Sequence, residues 1–206
     1  LLVQVILVFM AVLALFPFLW MISTSLKGSE EAFAYPPKLI PEIFHWDNYE
    51  KAMTALPFGK AYLNSLKLAV INVTGQVLTS AMAGYALGKL RFRGSGVVFG
   101  GFIAVMMVPY TVISIPLFLI FSQLNLIDTH LSIILMTVAY MPMGVFLCRQ
   151  FIMALPDELM EAGIIDGANY GSMFFRIVLP LVKPALASLG IFSFMWNWNS
   201  FYTPLI

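Results

Sequence analysis

Cysteine is nearly absent from these 206 residues: Cys148 alone excludes an intramolecular disulfide and any multi-cysteine metal centre. Histidine is as scarce, and His45 and His130 belong to no ligand-spaced cluster. Charged residues make up only 10% of the chain, and the net charge of +1 points to no nucleic-acid partner. No Asp, Glu or His falls in the middle of a long apolar run, so the carboxylate or imidazole expected of an ion-coupled transporter is missing. Paired aspartates, a Ser–His pair and intramembrane metal ligands are missing too, which argues against a membrane-embedded hydrolase. Gly84-Tyr-Ala-Leu-Gly88-Lys89-Leu90 is one residue short of a phosphate-binding loop and lacks its Ser/Thr. A small-residue helix end followed by basic anchors explains it better.

Apolar residues dominate instead. They form 61% of the chain, and a mean hydropathy of +0.91 is far outside the range of soluble domains. Uncharged length places five membrane spans: about 1–22, 62–86, one within 94–127, 131–149 and 182–206. The stretch 94–127 exceeds one crossing, so Pro109 and Pro116 are expected to break or kink it. The first run lacks a basic flank and a small-residue cleavage site, and reads as a membrane helix rather than a removed signal peptide. A first residue other than Met and an apolar run still open at Ile206 suggest a fragment. Lys67 lies near one end of the second span, where it can snorkel.

Orientation follows from the basic residues. Lys89, Arg91 and Arg93 lie close together with no acid between Gly84 and Gly96, which makes that short loop cytoplasmic. Alternation then puts 150–181 inside, and 23–61 and 122–130 outside. Four lysines in 23–61 count for less, because that loop is long and carries five acids.

Residues 150–181 hold the polar centre of the sequence. Pro156 suits a first helical position, and Asp157, Glu158 and Glu161 put negative charge in the first turns. Leu159, Ala162 and Gly163 fall on one face, where small side chains permit close approach. Asp166-Gly167 signals a turn, and Asn169 can cap a second helix with Phe174, Ile177 and Val178 on its apolar face. Pro180 and Pro184 mark entry into the next apolar run. The expected element is a helix–turn–helix at the membrane surface with an acidic flank.

The spacing Glu161-Ala162-Gly163, three residues, Gly167, nine residues, Ile177-x-Leu179-Pro180 resembles the EAA loop of binding-protein-dependent ABC importer permeases. One position departs: Gly163 stands where that family usually has a second alanine. Asp166-Gly167-Ala168 and Trp196-Asn197-Trp198-Asn199 resemble the carbohydrate, maltose-type branch. The looser resemblance covers about Tyr62 to Ile206.

The resemblance implies an all-α, polytopic transmembrane bundle of the type I importer permease kind, with a sixth span beyond Ile206. It divides the chain into a first helix with external loop (1–61) and a core permease domain (62–206). It further implies a bacterial or archaeal cytoplasmic-membrane subunit that imports a sugar or oligosaccharide. Expected partners are a second permease subunit, two cytoplasmic ATPase subunits, an external substrate-binding protein and membrane lipid. ATP and magnesium belong to the ATPase, leaving no cofactor and no catalytic residue on this chain. Glu161, Ala162, Gly163 and Gly167 would carry docking to the ATPase, with Asp157, Glu158 and Asp166 as acidic contacts and Ile177, Leu179 and Pro180 closing the motif. The runner-up is a permease for another solute, such as glycerol phosphate or amino acids.

Polar residues inside spans are candidates for the substrate path. Asn72 and Gln76 are one turn apart, Ser114 follows Pro109, and Asn197 and Asn199 sit among Trp196, Trp198 and Tyr202. Amides bond sugar hydroxyls and aromatic rings stack on sugar faces, whereas the plainer alternative is helix–helix hydrogen bonding beside an interfacial aromatic belt. Residues two apart on a helix point about 200° from each other. One of Asn197 and Asn199 is therefore expected to face the path while the other ties its helix to a neighbour.

Overall fold

A computed structural model describes residues 2–205, whose regular elements are all helices, with no strand among the described residues. The chain divides into two compact units, Leu1–Leu63 and Asn64–Ile206. In the first unit α1 (Leu2–Ser25) is a single long helix, none of whose most apolar window is buried within the chain. It is apolar all round, as a lipid-facing or subunit-facing helix is. The segment after it carries α2 (Ser29–Ala32) and α3 (Asp47–Ala55) and is tied back to the end of α1. Asn48 Nδ2 donates to the carbonyls of Ser25 and Lys27 at 3.0 and 2.8 Å, and the Lys27 ammonium sits 4.6 Å from the centre of the Trp20 ring.

The second unit is organised by α4 (Phe58–Lys89), which enters it at Asn64 and is longer than the expected 62–86. Lys67 consequently lies several turns inside the helix rather than near its end. The remaining spans are bent pairs. α5 (Ser95–Met106) and α6 (Tyr110–Gln123) meet at 103°, with Pro109 as the cap residue just before α6. Pro116, expected to break or kink the run as well, stays inside α6. α7 (His130–Ala139) and α8 (Pro142–Met153) meet at 42°, because Pro142 lacks an N–H to continue the ladder. That break was not expected from apolar length. The segment Tyr170–Leu181 bends by 79° at Val182 into α12 (Lys183–Trp198), after which the chain breaks again before α13 (Tyr202–Leu205). The expected span 182–206 is therefore interrupted near its end.

Small residues bring α4 against α7 and α8. A Cβ at Gly75 would stand 2.6 Å from Val138 Cγ2, and one at Gly84 would stand 2.7 Å from Cys148 Cβ and 2.8 Å from the Arg149 backbone nitrogen. Such close approach is the usual role of glycine between membrane helices. Arg149 then fastens neighbouring helix ends together: its Nε donates to Leu87 O at 3.1 Å, and its guanidinium lies 4.0 Å over the Phe99 ring.

Candidate functional site

The segment 154–182 folds as its residues dictate. α9 (Glu158–Ile165) carries Glu158 and Glu161 in its first turn, where acids favour the helix dipole. Gly167 takes φ +77°, and the N–H groups of Gly167 and Ala168 donate to the carbonyls of Ile164 and Gly163 at 3.0 and 2.9 Å. That pair of bonds is a Schellman cap, which needs a left-handed residue at Gly167. Asn169 accepts the Ser172 N–H at 2.8 Å and so caps α10 (Tyr170–Met173).

Beyond α10 the ladder widens into a π turn over Phe174–Val178, followed by the short α11 (Leu179–Leu181). Pro180 has no N–H for the Arg176 carbonyl, so a regular ladder cannot continue through the turn.

The inner face of this segment is core. Met160, Phe174, Val178 and Val182 belong to one buried cluster with Ala81 and Tyr85 of α4, Cys148 and Ile152 of α8, and Leu189 of α12. Gly163 also turns inward, where a Cβ would meet Ile177 Cδ1 at 3.1 Å and Met173 at 3.3 Å. The expected common face of Leu159, Ala162 and Gly163 is thus split: Leu159 and Ala162 are exposed while Gly163 seats α9 on the second helix. Ile177 and Leu179 are half-buried supports, and Pro180 is exposed.

The outer face carries Asp157, Glu158, Glu161, Ala162, Asp166 and Gly167, all exposed. Beside them stand Ile164 and Ile165, the latter 84% exposed. Sequence reading passed over these isoleucines; their position directly before the Asp166-Gly167 turn was the available signal. Ile164 and Ile165 thus form a bare apolar patch among the acids of this loop.

One ion pair joins this loop to the spans. Lys89, the last residue of α4, donates to Asp157 at 2.5 Å and to Leu155 O at 2.6 Å, and its side chain is only 6% exposed. The Lys89 bond and charge, with a smaller contribution from Arg91, hold the Asp157 carboxyl below the usual aspartate range. The arrangement closes one side of a cleft lined by Lys89, Arg91, Arg93 and Ser95.

Within the spans, the polar residues singled out above converge in part. Asn72 Nδ2 donates to Asn197 Oδ1 at 2.9 Å, and Gln76 Nε2 donates to Thr137 O at 2.9 Å. Gln76 Oε1 accepts from the Ser193 hydroxyl and, at 3.3 Å, from Asn197 Nδ2. Four side chains thereby knot α4, α7 and α12 together. Asn199 stands outside the knot, exposed, bonded only to Met195 O at 2.8 Å. Ser114 is fully buried and shares a hydrogen bond of 3.0 Å with Tyr202 Oη. Ser193 and Thr137 were not anticipated; Ser193 lies one turn before Asn197, which was the legible hint.

Residues 76–206 match the family model described as binding-protein-dependent transport system inner membrane component. The chain is 34% identical over 96% of its length to the arabinooligosaccharides transport system permease protein AraQ of Halalkalibacterium halodurans, covering 72% of that relative. It is likewise 34% identical over 98% of its length to the sn-glycerol-3-phosphate transport system permease protein UgpE of Yersinia pestis, covering 74% of it. A chain from the crystal structure of a bacterial ABC transporter that imports the acidic polysaccharide alginate superposes with a TM-score of 0.84. That match has 26% identity and covers 96% of this chain and 69% of the other.

Proposed function

The chain belongs to the family of binding-protein-dependent transport system inner membrane components, and we propose that it forms half of the path by which a sugar or oligosaccharide enters the cell. It is a multi-pass subunit of the cytoplasmic membrane and a transport component, with the chemistry of ATP hydrolysis on another subunit. The other half of the path belongs to a second, related permease. α1 and the many exposed apolar side chains of α5 and α6 supply surface for lipid and for that partner.

One observation carries the reading: the loop that offers acids and isoleucines outward is embedded by its inner face in the core of the spans. A cytoplasmic ATPase that gripped α9 would move Met160 and Phe174, and with them Tyr85, Ile152 and Leu189. Closure of two ATPases on ATP would in this way be transmitted to the helices that line the path. Mobile loops transmit little; a packed helix transmits displacement, because close-packed interiors do not deform continuously. An external binding protein would deliver the sugar.

The test is reconstitution with the ATPase, the second permease and the binding protein in proteoliposomes. Sugar-stimulated ATP hydrolysis with uptake of the same sugar is expected. Replacing Ile165 by Asp should abolish both while the permeases still assemble. Stimulation by glycerol phosphate and by no sugar would favour the second reading, which the likeness to a glycerol-phosphate permease supports.

A further inference from the structure

Three helix breaks in the second unit each carry a tyrosine. α5 runs 12 residues from the short basic loop, and α8 runs 12 residues back to the cytoplasmic segment. At about 1.5 Å per residue both breaks lie about 18 Å from that side, beyond the middle of a hydrocarbon core of about 30 Å. α12, 16 residues long, ends about 24 Å in, and Tyr202 follows its break. Tyr110 opens α6, Tyr140 ends α7, and the ring centre of Tyr110 lies 6.0 Å from that of Tyr140 and 6.1 Å from that of Tyr202.

The three rings tilt or stand edge-on rather than stack, at 59° and 79°. Tyr202 bonds Ser114, whereas the Tyr110 hydroxyl is buried without a hydrogen-bond partner among the described residues. Unpaired buried hydroxyls are costly, and this one sits at the break between α5 and α6. The amide knot of Asn72, Gln76 and Asn197 reaches the same pair of breaks through Thr137 and Asn197.

We propose that Tyr110, Tyr140 and Tyr202 form a sugar subsite on this chain, closed in the present conformation. Tyr202, 42% exposed, is the movable wall; when it swings out, a pyranose or furanose ring lies against the Tyr110 and Tyr140 faces. A sugar hydroxyl then takes the empty place on Tyr110 Oη. This inference rests on the sugar-import reading above.

The experiment uses the complete transporter in proteoliposomes, with arabinobiose, diacetylchitobiose and maltose as probes. Tyr110→Phe keeps the ring and removes an unpaired hydroxyl, so assembly and thermal stability should equal or exceed wild type. Half-saturation of uptake should rise about tenfold for the transported sugar, the worth of one neutral hydrogen bond. As a second measure, Tyr202→Cys in a Cys148→Ala background should react with a thiol reagent, and the sugar should protect it. Wild-type kinetics in Tyr110→Phe together with no protection at position 202 would overturn the subsite and leave sugar import standing. Uptake of none of the three sugars, with uptake of glycerol phosphate instead, would overturn both.

Discussion

Lys89 closes α4 with a 2.5 Å bond to Asp157, the residue that opens α9 sixty-eight positions later. The charge that ends α4 is also the one that fixes the α9 segment to it. Asp157 is the more exposed partner and Lys89 the buried one. Loss of Lys89 also strips the Leu155 carbonyl of its donor, so the two ends of the pair are not equivalent.

Lys89→Met should therefore lower thermal stability and loosen coupling more than Asp157→Asn. The Asp157 carboxyl is held below its ordinary value, so its contribution is complete above about pH 4 and is lost as pH falls through the depressed value. Unfolding of the detergent-solubilised permease should show wild type and Asp157→Asn differing at neutral pH and converging in acid. A constant difference across that range would mean that Asp157 acts by other means.

Gly167→Val places a β-branched side chain at φ +77°, a strain of about 1–2 kcal/mol confined to the turn. Membrane insertion should be unchanged, since every span is untouched. Co-purification with the ATPase and substrate-stimulated hydrolysis should fall sharply. Full association in this variant would remove the loop from the docking role.

Asn197→Ala and Asn199→Ala should differ. The first leaves Asn72 without its acceptor and Gln76 with fewer donors, at a cost of about 1–3 kcal/mol and a poor yield of assembled complex. The second loses only a bond to Met195 O and should assemble normally, with any defect confined to uptake or sugar preference. Comparable yields by size-exclusion chromatography would contradict the knot.

Sidedness is open to direct labelling. With Cys148 replaced by Ser, cysteine at Asn48 should react with an impermeant thiol reagent on intact spheroplasts, and cysteine at Ser95 should not. The opposite pattern would invert the orientation read from Lys89, Arg91 and Arg93, and the coupling loop with it.

The sequence by itself determined the local chemistry: the Asp166-Gly167 turn, the Asn169 cap and the acidic first turn of α9. Each depends on neighbours within one or two turns, and the twenty-residue spacing that resembles the EAA loop is itself a local pattern. Only the tertiary structure decided that Gly163 faces Ile177, that Asn197 ties helices while Asn199 stays exposed, and that Tyr110, Tyr140 and Tyr202 meet. α1 and α5 are nearly apolar all round, so their periodicity names no inner face. In a membrane both sides of a helix are equally apolar, and which side meets protein is settled by the shape and hydrogen bonds of distant partners.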